Sequence, residues 1–472
     1  MPTLSAQKFV SQVQSGSISV SEHTHKIVEE IEKKNPEFNH FNFFDKSFVL
    51  AQAEALEKEI KKGRKGKLLG VPVSVKDCVC VKGIPATSSS KILSGYRPVF
   101  DATVIRKAKE EGAIILGKTV QDEFGFGTFS TNVGNGKIPL NPLDKQRSCG
   151  GSSGGAAGFA ALTNFTHLAI AESTGGSIAA PASFCGVSSI TPTYGLVSRY
   201  GLLDYANSLD KIGSIGKTIH DSALLLDAIS GKDAKDSTSL DAQGLKISKP
   251  EKIKIGVPKE LVDSIRNEKI KKIVAKKISG AEAKGFSVQE ISLPLNTGYG
   301  VAVYYLIAMS EASTNLAKYC GMRYGLEKKL EGNFNEYFSS VRSEGFGEEA
   351  KRRILIGTFA RMSGFRDAYY LKAMKARTKL IKEFKTVFSK VDLLAFPAMP
   401  IVAPKFSEIE KLTPLENYSM DLCTVPANLC GMPHATINAG PVDSMPAGLM
   451  VMGNHLEDSK VASFASFLEA LK

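Results

Sequence analysis

Short apolar runs alternate with longer helix-like segments along this chain from about residue 68 onward. Apolar runs of this length predict buried strands, and the amphipathic segments between them predict helices. In the first half, the strand-like runs are residues 69–75, 113–116 and 168–171. The helix-like segments are residues 103–111, with Asp101 as N-terminal cap, and the small-residue stretch 152–162. This alternation predicts an α/β fold in which helices cover both faces of a central mixed sheet.

The second half of the chain has the same alternating pattern. Its strand-like runs are residues 253–257, 286–291, 393–396 and 434–437, and its helix-like segments are residues 270–283, 301–319, 366–389 and 459–471. Residues 1–65 differ, because their apolar residues recur mainly at helical spacing and predict an N-terminal helical segment. The polar stretch 246–252 is short and the pattern is the same on both sides. We therefore predict a single large domain over residues 1–472.

The composition is that of an ordinary globular protein, with 43% hydrophobic and 23% charged residues. The first residues lack the apolar core of a signal peptide, and no uncharged apolar run is long enough to cross a bilayer. These observations predict a cytoplasmic protein with no membrane contact. The net charge of +12 would suit a polyanionic partner, but the lysine clusters at 61–67 and 269–272 lack interleaved aromatic residues. A solvated, lysine-rich surface is therefore the favoured interpretation.

The seven cysteines are scattered and odd in number, which argues against a disulfide framework. Cys78 and Cys80 lie two residues apart, but no second pair accompanies them to complete a zinc site. We therefore expect the cysteines to be small buried side chains in a reducing compartment, and we expect no metal site.

Three short blocks rich in small residues contain the candidate catalytic groups. They are Val73-Ser-Val-Lys-Asp77, Gly150-Gly-Ser-Ser-Gly-Gly155 and Glu172-Ser-Thr-Gly-Gly-Ser-Ile178, and none of them contains a histidine. A serine hydroxyl is a poor nucleophile until a base takes its proton, and a lysine buried among neutral groups can be that base. Lys76 ends an apolar run, so we expect it to be buried and neutral. Ser152 would then pass the proton to it from Ser177.

Each block taken alone also has an ordinary interpretation. A lysine after a strand is usually a surface residue, and the block 150–155 could bind phosphate, although it lacks the Gly-Lys-Ser/Thr ending of a P-loop. His167 lies only ten residues before Ser177, but a histidine beside a predicted strand is more often structural than catalytic. The three blocks in this order favour a serine nucleophile. Its oxyanion donors would be the backbone N–H groups of Thr174, Gly175 and Gly176.

The order of Lys76, Ser152 and Ser177, with two glycines before the last serine, resembles the pattern of the amidase signature family. The resemblance covers the whole chain as one amidase domain, with a signature core at about residues 68–240. It implies a hydrolase of carboxamides that needs no cofactor in this chain. It also implies that Lys76 is the base, Ser152 a bridging serine held by a cis peptide, and Ser177 the acylated nucleophile.

Longer segments outside these blocks resemble one group within that family. They include Thr191-Pro-Thr-Tyr-Gly-Leu-Val-Ser-Arg-Tyr-Gly201, Ser310-Glu-Ala-Ser-Thr-Asn315 and Thr424-Val-Pro-Ala-Asn-Leu429. They are similar to the glutaminase subunits of tRNA-dependent amidotransferases. That resemblance implies a heterotrimer in which this chain releases ammonia from glutamine. The B and C subunits would be its partners. The B subunit would use ATP and Mg²⁺ to activate the glutamyl group of mischarged tRNA. The C subunit, a small protein, would tether the B subunit to this chain.

Glutamine recognition in that group uses a tyrosine, an arginine and an aspartate. The matching positions are Tyr304 or Tyr305, Arg353 or its neighbour Arg352, and Asp421. An arginine suits the α-carboxylate of glutamine because it can bind it through two N–H groups, and an aspartate suits the α-ammonium group. The ordinary interpretation of either arginine is a solvated charge on a helix.

The chain departs from the family pattern around the proposed nucleophile. The family has aspartate where Ser173 stands, arginine where Ala179 stands and lysine where Thr191 stands. The first two changes together suggest that a supporting ion pair was lost as a unit, so we expect another contact to hold the turn. The Ser173 hydroxyl could bond to the backbone of the turn. Alternatively, Ala179 and Ala180 could pack against the helix at 154–157.

Two alternatives to the glutaminase interpretation stay open at this point. One is a stand-alone amidase acting on other amides, and the other is a catalytically silent scaffold protein within the complex. Arg353 and Asp421 on one pocket wall would favour the glutaminase, because a simple amide carries neither of the charges that they would bind. The presence of Lys76, Ser152 and Ser177 argues against a silent scaffold.

Overall fold

An eleven-stranded mixed sheet forms the centre of the protein in the computed structural model, which describes residues 4–242 and 244–471. The strands are β1 (Phe41–Phe44), β2 (Pro72–Lys76), β3 (Ile114–Thr119), β4 (Leu140–Asn141), β5 (Asp144–Ser148), β6 (Leu168–Ser173), β7 (Ser188–Thr191), β8 (Lys211–Gly216), β9 (Lys254–Pro258), β10 (Ser287–Ile291), β11 (Leu393–Pro397), β12 (His434–Val442) and β13 (Met445–Gly453). The order in the main sheet is β1-β3-β2-β6-β8-β7-β12-β13-β11-β9-β10, and β4 pairs with β5 separately. Strand β2 is parallel to β3 and β6, β9 is parallel to β10 and β11, and the other neighbours are antiparallel.

Helices pack on both sides of this sheet. In the described residues they are α1 (Ala6–Gln14), α2 (Val20–Phe38), α3 (Lys46–Ile60), α4 (Thr103–Glu110), α5 (Gly154–Leu162), α6 (Ala179–Cys185), α7 (Ile219–Ile229), α8 (Lys259–Asp263), α9 (Glu268–Glu282), α10 (Pro294–Asn315), α11 (Phe334–Gly345), α12 (Glu348–Arg361), α13 (Lys372–Phe388), α14 (Phe406–Ile409), α15 (Pro414–Ser419), α16 (Val425–Leu429) and α17 (Asp458–Ala470).

The two large apolar cores lie on opposite faces of the sheet, as strand β13 shows. Leu449 and Val451 belong to one core, which also includes side chains of α7 and α17. Met450 and Met452 belong to the other, which includes side chains of α10 and α13. Because successive side chains of a strand point to opposite faces, helices cover the sheet on both sides. The predicted α/β fold with a central mixed sheet is confirmed.

Strands from both halves of the chain lie in the same sheet, so the chain forms a single α/β domain. The polar stretch 246–252 separates β8 from β9, but β7 and β12 join the two halves by hydrogen bonds. No helix among residues 4–242 and 244–471 is long and apolar enough to cross a membrane. All seven cysteines lie in these ranges and are unpaired, and all except the partly exposed Cys320 are buried.

The N-terminal segment is helical as predicted, but it also contains an edge strand that the pattern did not indicate. Helix α2 ends at Phe38, and its C-terminal cap residue, Asn39, has a left-handed backbone with φ of 56°. The chain then forms β1, which pairs antiparallel with β3 at the edge of the sheet. A four-residue strand with three phenylalanines has too little alternation to separate it from a helical segment by period alone.

Helix α4 begins at Thr103 as predicted, but Asp101 does not cap it. The N-terminal cap position is Ala102, and no side chain accepts a hydrogen bond there. The Asp101 carboxylate instead accepts from the Lys82 backbone N–H at 2.8 Å and pairs with Lys109 at 2.8 Å. Asp101 lies one residue before the cap position. Its side chain links Lys109 of the helix to Lys82 of the preceding loop.

The helices of the second half differ from their predicted bounds. Helix α10 begins at Pro294, several residues earlier than predicted, because proline is compatible with the first turn of a helix. The predicted helix over 366–389 is divided into a π-helical segment, Asp367–Leu371, and α13. Helices α11 and α12 were not predicted.

Asp458 joins the C-terminal helix to the loop that follows β7. Its buried carboxylate accepts hydrogen bonds from the backbone N–H of Thr193 at 2.8 Å and from the Thr193 hydroxyl at 2.6 Å. We expect Asp458→Ala to lower the free energy of unfolding by about 1–3 kcal/mol, because it leaves a buried N–H group without an acceptor. The midpoint of thermal unfolding measures this loss. Lys460→Ala on the same helix is the control, and an equal midpoint in both variants would contradict the expectation.

Candidate active site

The three candidate blocks meet at one edge of the sheet. Lys76 is the last residue of β2 and Ser173 is the last residue of β6. These strands are parallel neighbours, with Val75 opposite Ile170, so their carboxyl ends lie side by side. Helix α5 begins just after Ser152, and α6 begins just after the turn that follows β6. The sheet therefore brings together residues that are far apart in the sequence.

Lys76 is fully buried, as predicted, and its Nζ has three close contacts. The Ser152 Oγ lies 2.7 Å away, and the backbone oxygen of Glu172 lies 2.8 Å away. The third contact is with the Glu172 carboxylate, at 2.8 Å. The prediction of neutral surroundings is therefore wrong, because a buried acidic side chain lies against the amine. Glu172 was in one of the quoted blocks, but nothing in its position within a strand distinguished it from an ordinary strand residue.

The two serine-containing blocks are joined through their backbones. The peptide bond between Gly151 and Ser152 is cis, as the family resemblance implied. The backbone N–H of Ser153 donates to the backbone oxygen of Ser177 at 3.2 Å. Ser177 itself is only 6% exposed. This arrangement holds the start of α5 beside the turn that carries the proposed nucleophile.

The two glycines before Ser177 are required by close packing rather than by an unusual φ. Neither Gly175 nor Gly176 has a positive φ. A Cβ atom on Gly175 would lie 2.8 Å from the hydroxyl oxygen of Tyr304, and one on Gly176 would overlap the hydroxyl of Thr424. The backbone of the proposed oxyanion turn is therefore pressed against side chains from α10 and from the residue before α16.

The Ser173 side chain is held by α16 rather than by the backbone of its own turn. The Nδ2 of Asn428 donates to the backbone oxygen of Ser173 at 2.9 Å and lies 3.0 Å from its hydroxyl oxygen. Ala179 and Ala180 are fully buried at the start of α6, which packs against α5. The contact that holds Ser173 thus comes from a distant part of the sequence.

A second buried carboxylate stands behind Glu172. The Thr174 hydroxyl oxygen lies 2.8 Å from Glu172 Oε1 and 2.8 Å from Asp210 Oδ1. Asp210 also accepts backbone hydrogen bonds from Tyr205 and Ala206, at 2.9 Å and 3.0 Å. Burial, together with the nearby charge of Glu172, raises the pKa of Asp210 well above its ordinary value.

The predicted substrate-binding residues Tyr305, Arg353 and Asp421 lie together. The Tyr305 hydroxyl donates to Asp421 Oδ2 at 2.6 Å, and the Arg353 Cζ is 5.3 Å from the centre of the Tyr305 ring. Thr128 donates to the other oxygen of Asp421 at 3.0 Å. Burial raises the pKa of both Tyr305 and Asp421. The neighbouring Tyr304 is the residue that packs against the oxyanion turn.

Arg353, rather than Arg352, faces this cluster. Its Nε donates to Glu349 at 2.8 Å and its Nη1 donates to the Tyr205 hydroxyl at 2.7 Å. Four aromatic rings have centroids 5.0–5.8 Å from its Cζ, those of Phe126, Tyr205, Tyr305 and Tyr418. Arg352 is exposed to solvent and forms an ion pair with the same carboxylate, that of Glu349. The sequence did not indicate Tyr205 or Tyr418, because these contacts join segments far apart in the chain.

An open cavity of about 460 Å³ leads to Arg353. Its lining includes Gly127, Asn132, Glu349 and Tyr418. Within the described residues, no group of three or more histidine, cysteine, aspartate or glutamate side chains could hold a metal ion.

Comparison with known proteins identifies the family. The family model described as Amidase matches residues 22–462. The chain belongs to the amidase family. The A subunit of the glutamyl-tRNA(Gln) amidotransferase from Archaeoglobus fulgidus is 43% identical to it over 423 residues, which cover 89% of this chain and 91% of the relative. The corresponding protein from a Cyanothece species is 42% identical over 469 residues, covering 98% and 96% of the two chains.

Solved structures agree with this assignment. The crystal structure of the A subunit of the glutamyl-tRNA(Gln) amidotransferase from Thermotoga maritima matches with a TM-score of 0.77 and 34% identity, covering 94% of this chain and 90% of that one. Another crystal structure, of an amidase, matches with a TM-score of 0.84 and 26% identity, covering 99% of both chains. The chain is thus an enzyme of the amidase family. Lys76, Ser152 and Ser177 are the residues that we predict to catalyse its reaction.

The contact between Asn428 and Ser173 gives a test of how the amidase turn is held. We expect Asn428→Ala to reduce amidase activity, because the strand end before Thr174 loses the donor that fixes it. Asn428→Asp should reduce it further, since an acceptor would then face the backbone oxygen of Ser173. Amide hydrolysis by the purified variants measures both effects. Wild-type activity in the alanine variant would show that the turn does not depend on this contact.

Proposed function

We propose that this amidase is the A subunit of a glutamyl-tRNA(Gln) amidotransferase, the glutaminase of a ligase complex that acts in protein biosynthesis. Relatives of that name are 42–43% identical to this chain over most of its length. The proposed complex is a cytoplasmic heterotrimer. Its B and C subunits are the proposed partners of this chain.

The cluster of Tyr305, Arg353 and Asp421 is the observation that carries this proposal. It offers a guanidinium group for the α-carboxylate of an amino acid and a carboxylate for the α-ammonium group. The Arg353 guanidinium group and the Asp421 carboxylate both lie against Tyr305, and the adjacent Tyr304 contacts the turn before Ser177. A site for a simple aliphatic amide would need neither charge. Glutamine has both charges and a carboxamide at the other end.

In the proposed reaction, the Ser177 oxygen attacks the side-chain carboxamide of glutamine. The proton of Ser177 passes through Ser152 towards Lys76, and the N–H groups of the Thr174–Ser177 turn stabilise the oxyanion. The C–N bond then breaks, ammonia leaves, and water hydrolyses the acyl-enzyme to glutamate. The ammonia is consumed by the B subunit, which uses ATP and Mg²⁺ to activate the glutamyl group of mischarged tRNA. This chain itself needs no cofactor for its step.

The assembled heterotrimer allows the glutaminase step to be tested separately from the rest. We expect Ser177→Ala to abolish amidation of Glu-tRNA(Gln) when glutamine is the nitrogen donor, because no acyl-enzyme can form. The same variant complex should keep wild-type activity when ammonium chloride replaces glutamine. Product Gln-tRNA(Gln) is measured with each donor.

The alternatives predict different results in this assay. A silent scaffold would leave the glutamine-dependent rate unchanged in Ser177→Ala. A stand-alone amidase would form no complex that amidates tRNA, and it would hydrolyse simple amides better than glutamine. Loss of activity with both nitrogen donors would mean that the variant fails to assemble, which co-purification of the three proteins tests directly.

Selection of glutamine by its amino-acid end gives a second test. We expect Arg353→Ala and Asp421→Ala each to weaken glutamine hydrolysis by about 2–5 kcal/mol, or roughly 30-fold to several thousand-fold in kcat/KM. Hydrolysis of a short aliphatic amide should change much less. Arg352→Ala is the matched control and should have little effect on either substrate. Glu349 keeps Arg352 and the Tyr418 hydroxyl as partners when Arg353 is removed.

The comparison between the two substrates decides this prediction. Equal losses on glutamine and on the aliphatic amide would show that Arg353 and Asp421 support the fold rather than the ligand.

A further inference from the structure

The contacts of Lys76 suit an ammonium group at rest. An ammonium group has three N–H donors, and Nζ has three oxygen neighbours at 2.7–2.8 Å. The backbone oxygen of Glu172 can only accept a hydrogen bond, and because a carboxylic acid is a much stronger acid than an alkylammonium group, the proton between Nζ and the Glu172 carboxylate lies on the nitrogen. Lys76 therefore pairs with Glu172 within the protein interior, where both side chains are almost completely buried.

The contacts of Thr174 and Asp210 support an ionised Glu172 in the buried acidic pair. The Thr174 hydroxyl has one hydrogen but lies 2.8 Å from an oxygen of each carboxyl group. One of these contacts therefore needs a proton on the carboxyl side. Glu172 has the Lys76 amine 2.8 Å away as its counter-ion, whereas burial raises the pKa of Asp210. We therefore place that proton on Asp210, which donates it to Thr174. Thr174 in turn donates to Glu172, which leaves Glu172 ionised against Lys76.

We propose that the catalytic base of this amidase is the Lys76–Glu172 pair, with Glu172 positioning Lys76 and taking the proton that Lys76 cannot hold. This proposal rests on the amide hydrolysis proposed above and adds a residue to it. A resting ammonium group has no lone pair and cannot accept a proton from Ser152. The Glu172 carboxylate, 2.8 Å from Nζ, is the neighbour that can accept a proton from Lys76.

Each proton in the step has a donor and an acceptor. Lys76 gives one proton to Glu172 Oε2, which becomes a carboxylic acid, and the neutral amine rotates about its Cε–Nζ bond to face Ser152. Ser152 then gives its proton to Nζ and takes the proton of Ser177, as the bond between the Ser177 oxygen and the carboxamide carbon forms. When the C–N bond breaks, one proton returns along the same path to the leaving nitrogen, and ammonia departs. Lys76 is again an ammonium group and Glu172 again a carboxylate.

Other titratable groups near the pair are the same in wild type and in the test variants. Those that act electrostatically on Lys76, on Glu172 or on their close neighbours are Asp77, Cys78, Lys118, Asp122, Arg199, Asp210 and Arg353. Burial raises the pKa of Asp122 to about 6, so Asp122 titrates in the range where the assay is made. The charge of Lys76 acts on Asp122, so the direction in which the pH profile moves, and not its absolute position, distinguishes the outcomes.

The pH profile of Glu172→Gln tests the proposal by the direction in which it moves. We expect the acid limb of kcat/KM for glutamine to move to higher pH and the rate at pH 7 to fall by about 100-fold. Without the carboxylate, only those molecules whose Lys76 has already lost its proton can accept one from Ser152. If Lys76 were the base alone, removal of the carboxylate would favour the neutral amine and move the limb to lower pH. Movement to lower pH, or no movement, overturns the proposal.

Glu172→Asp is the matched charge-retaining variant. We expect it to be slower than wild type, because the shorter side chain fits Lys76 less well, but to keep the acid limb near its wild-type position. A limb displaced as far as in Glu172→Gln would mean that the shape of Glu172 matters and not its charge, which overturns the proposal. The thermal unfolding midpoint of each variant confirms that it is folded.

A readout without activity separates this proposal from the proposed function. Carbon-13 labelling of lysine Cε, with the Lys76 signal assigned by its absence in Lys76→Met, reports whether the amine is charged. We expect an ammonium signal for Lys76 at pH 7 in the wild-type protein. A neutral amine there overturns the proposal, even if Glu172→Gln does not fold. A wild-type complex that fails to hydrolyse glutamine would instead contradict the proposed function, whatever the NMR signal shows.

Discussion

The buried ion pair between Lys76 and Glu172 is the interaction on which the rest of the site depends. A lysine and a glutamate removed from water are stable only together, and only when hydrogen bonds satisfy their remaining donors and acceptors. Ser152 supplies one of those contacts and the backbone of β6 supplies another. The pair therefore fixes the ends of two parallel strands and the start of α5 in a single arrangement. Thr174 extends it to the turn that carries Ser177.

Distant parts of the chain then hold that turn in place. Tyr304 from α10 and Thr424 before α16 press against its two glycines, and Asn428 fixes the backbone just before it. These contacts hold the turn although Ser173 and Ala179 cannot form an ion pair across it. The proposed nucleophile lies in the first half of the sequence and these supports lie in the second half. The site is therefore complete only in a single domain that contains both.

The proposed substrate end of the site follows a different physical principle. Arg353 is surrounded by aromatic rings, which lower the cost of burying a guanidinium group while leaving its charge in place. Asp421 is held by two hydroxyl groups rather than by a permanent cation. In the proposed function, a carboxylate supported in this way receives the ammonium group of the substrate. The two ends of the proposed site thus differ, since the charges of Lys76 and Glu172 are paired with each other and Asp421 is held by neutral groups.

The sequence by itself determined the alternation of strands and helices, the α/β class and the three blocks with Lys76, Ser152 and Ser177. These features are local, because each depends on residues close together in the chain. It could not show strand β1, the cap of α4, or the contacts of Glu172, Asp210 and Asn428. Those depend on which segments the sheet brings side by side, and residues such as Ser173 and Asn428 are 255 positions apart. Only the tertiary structure decided that Lys76 lies against a carboxylate, since burial and pairing are properties of packing and not of local pattern.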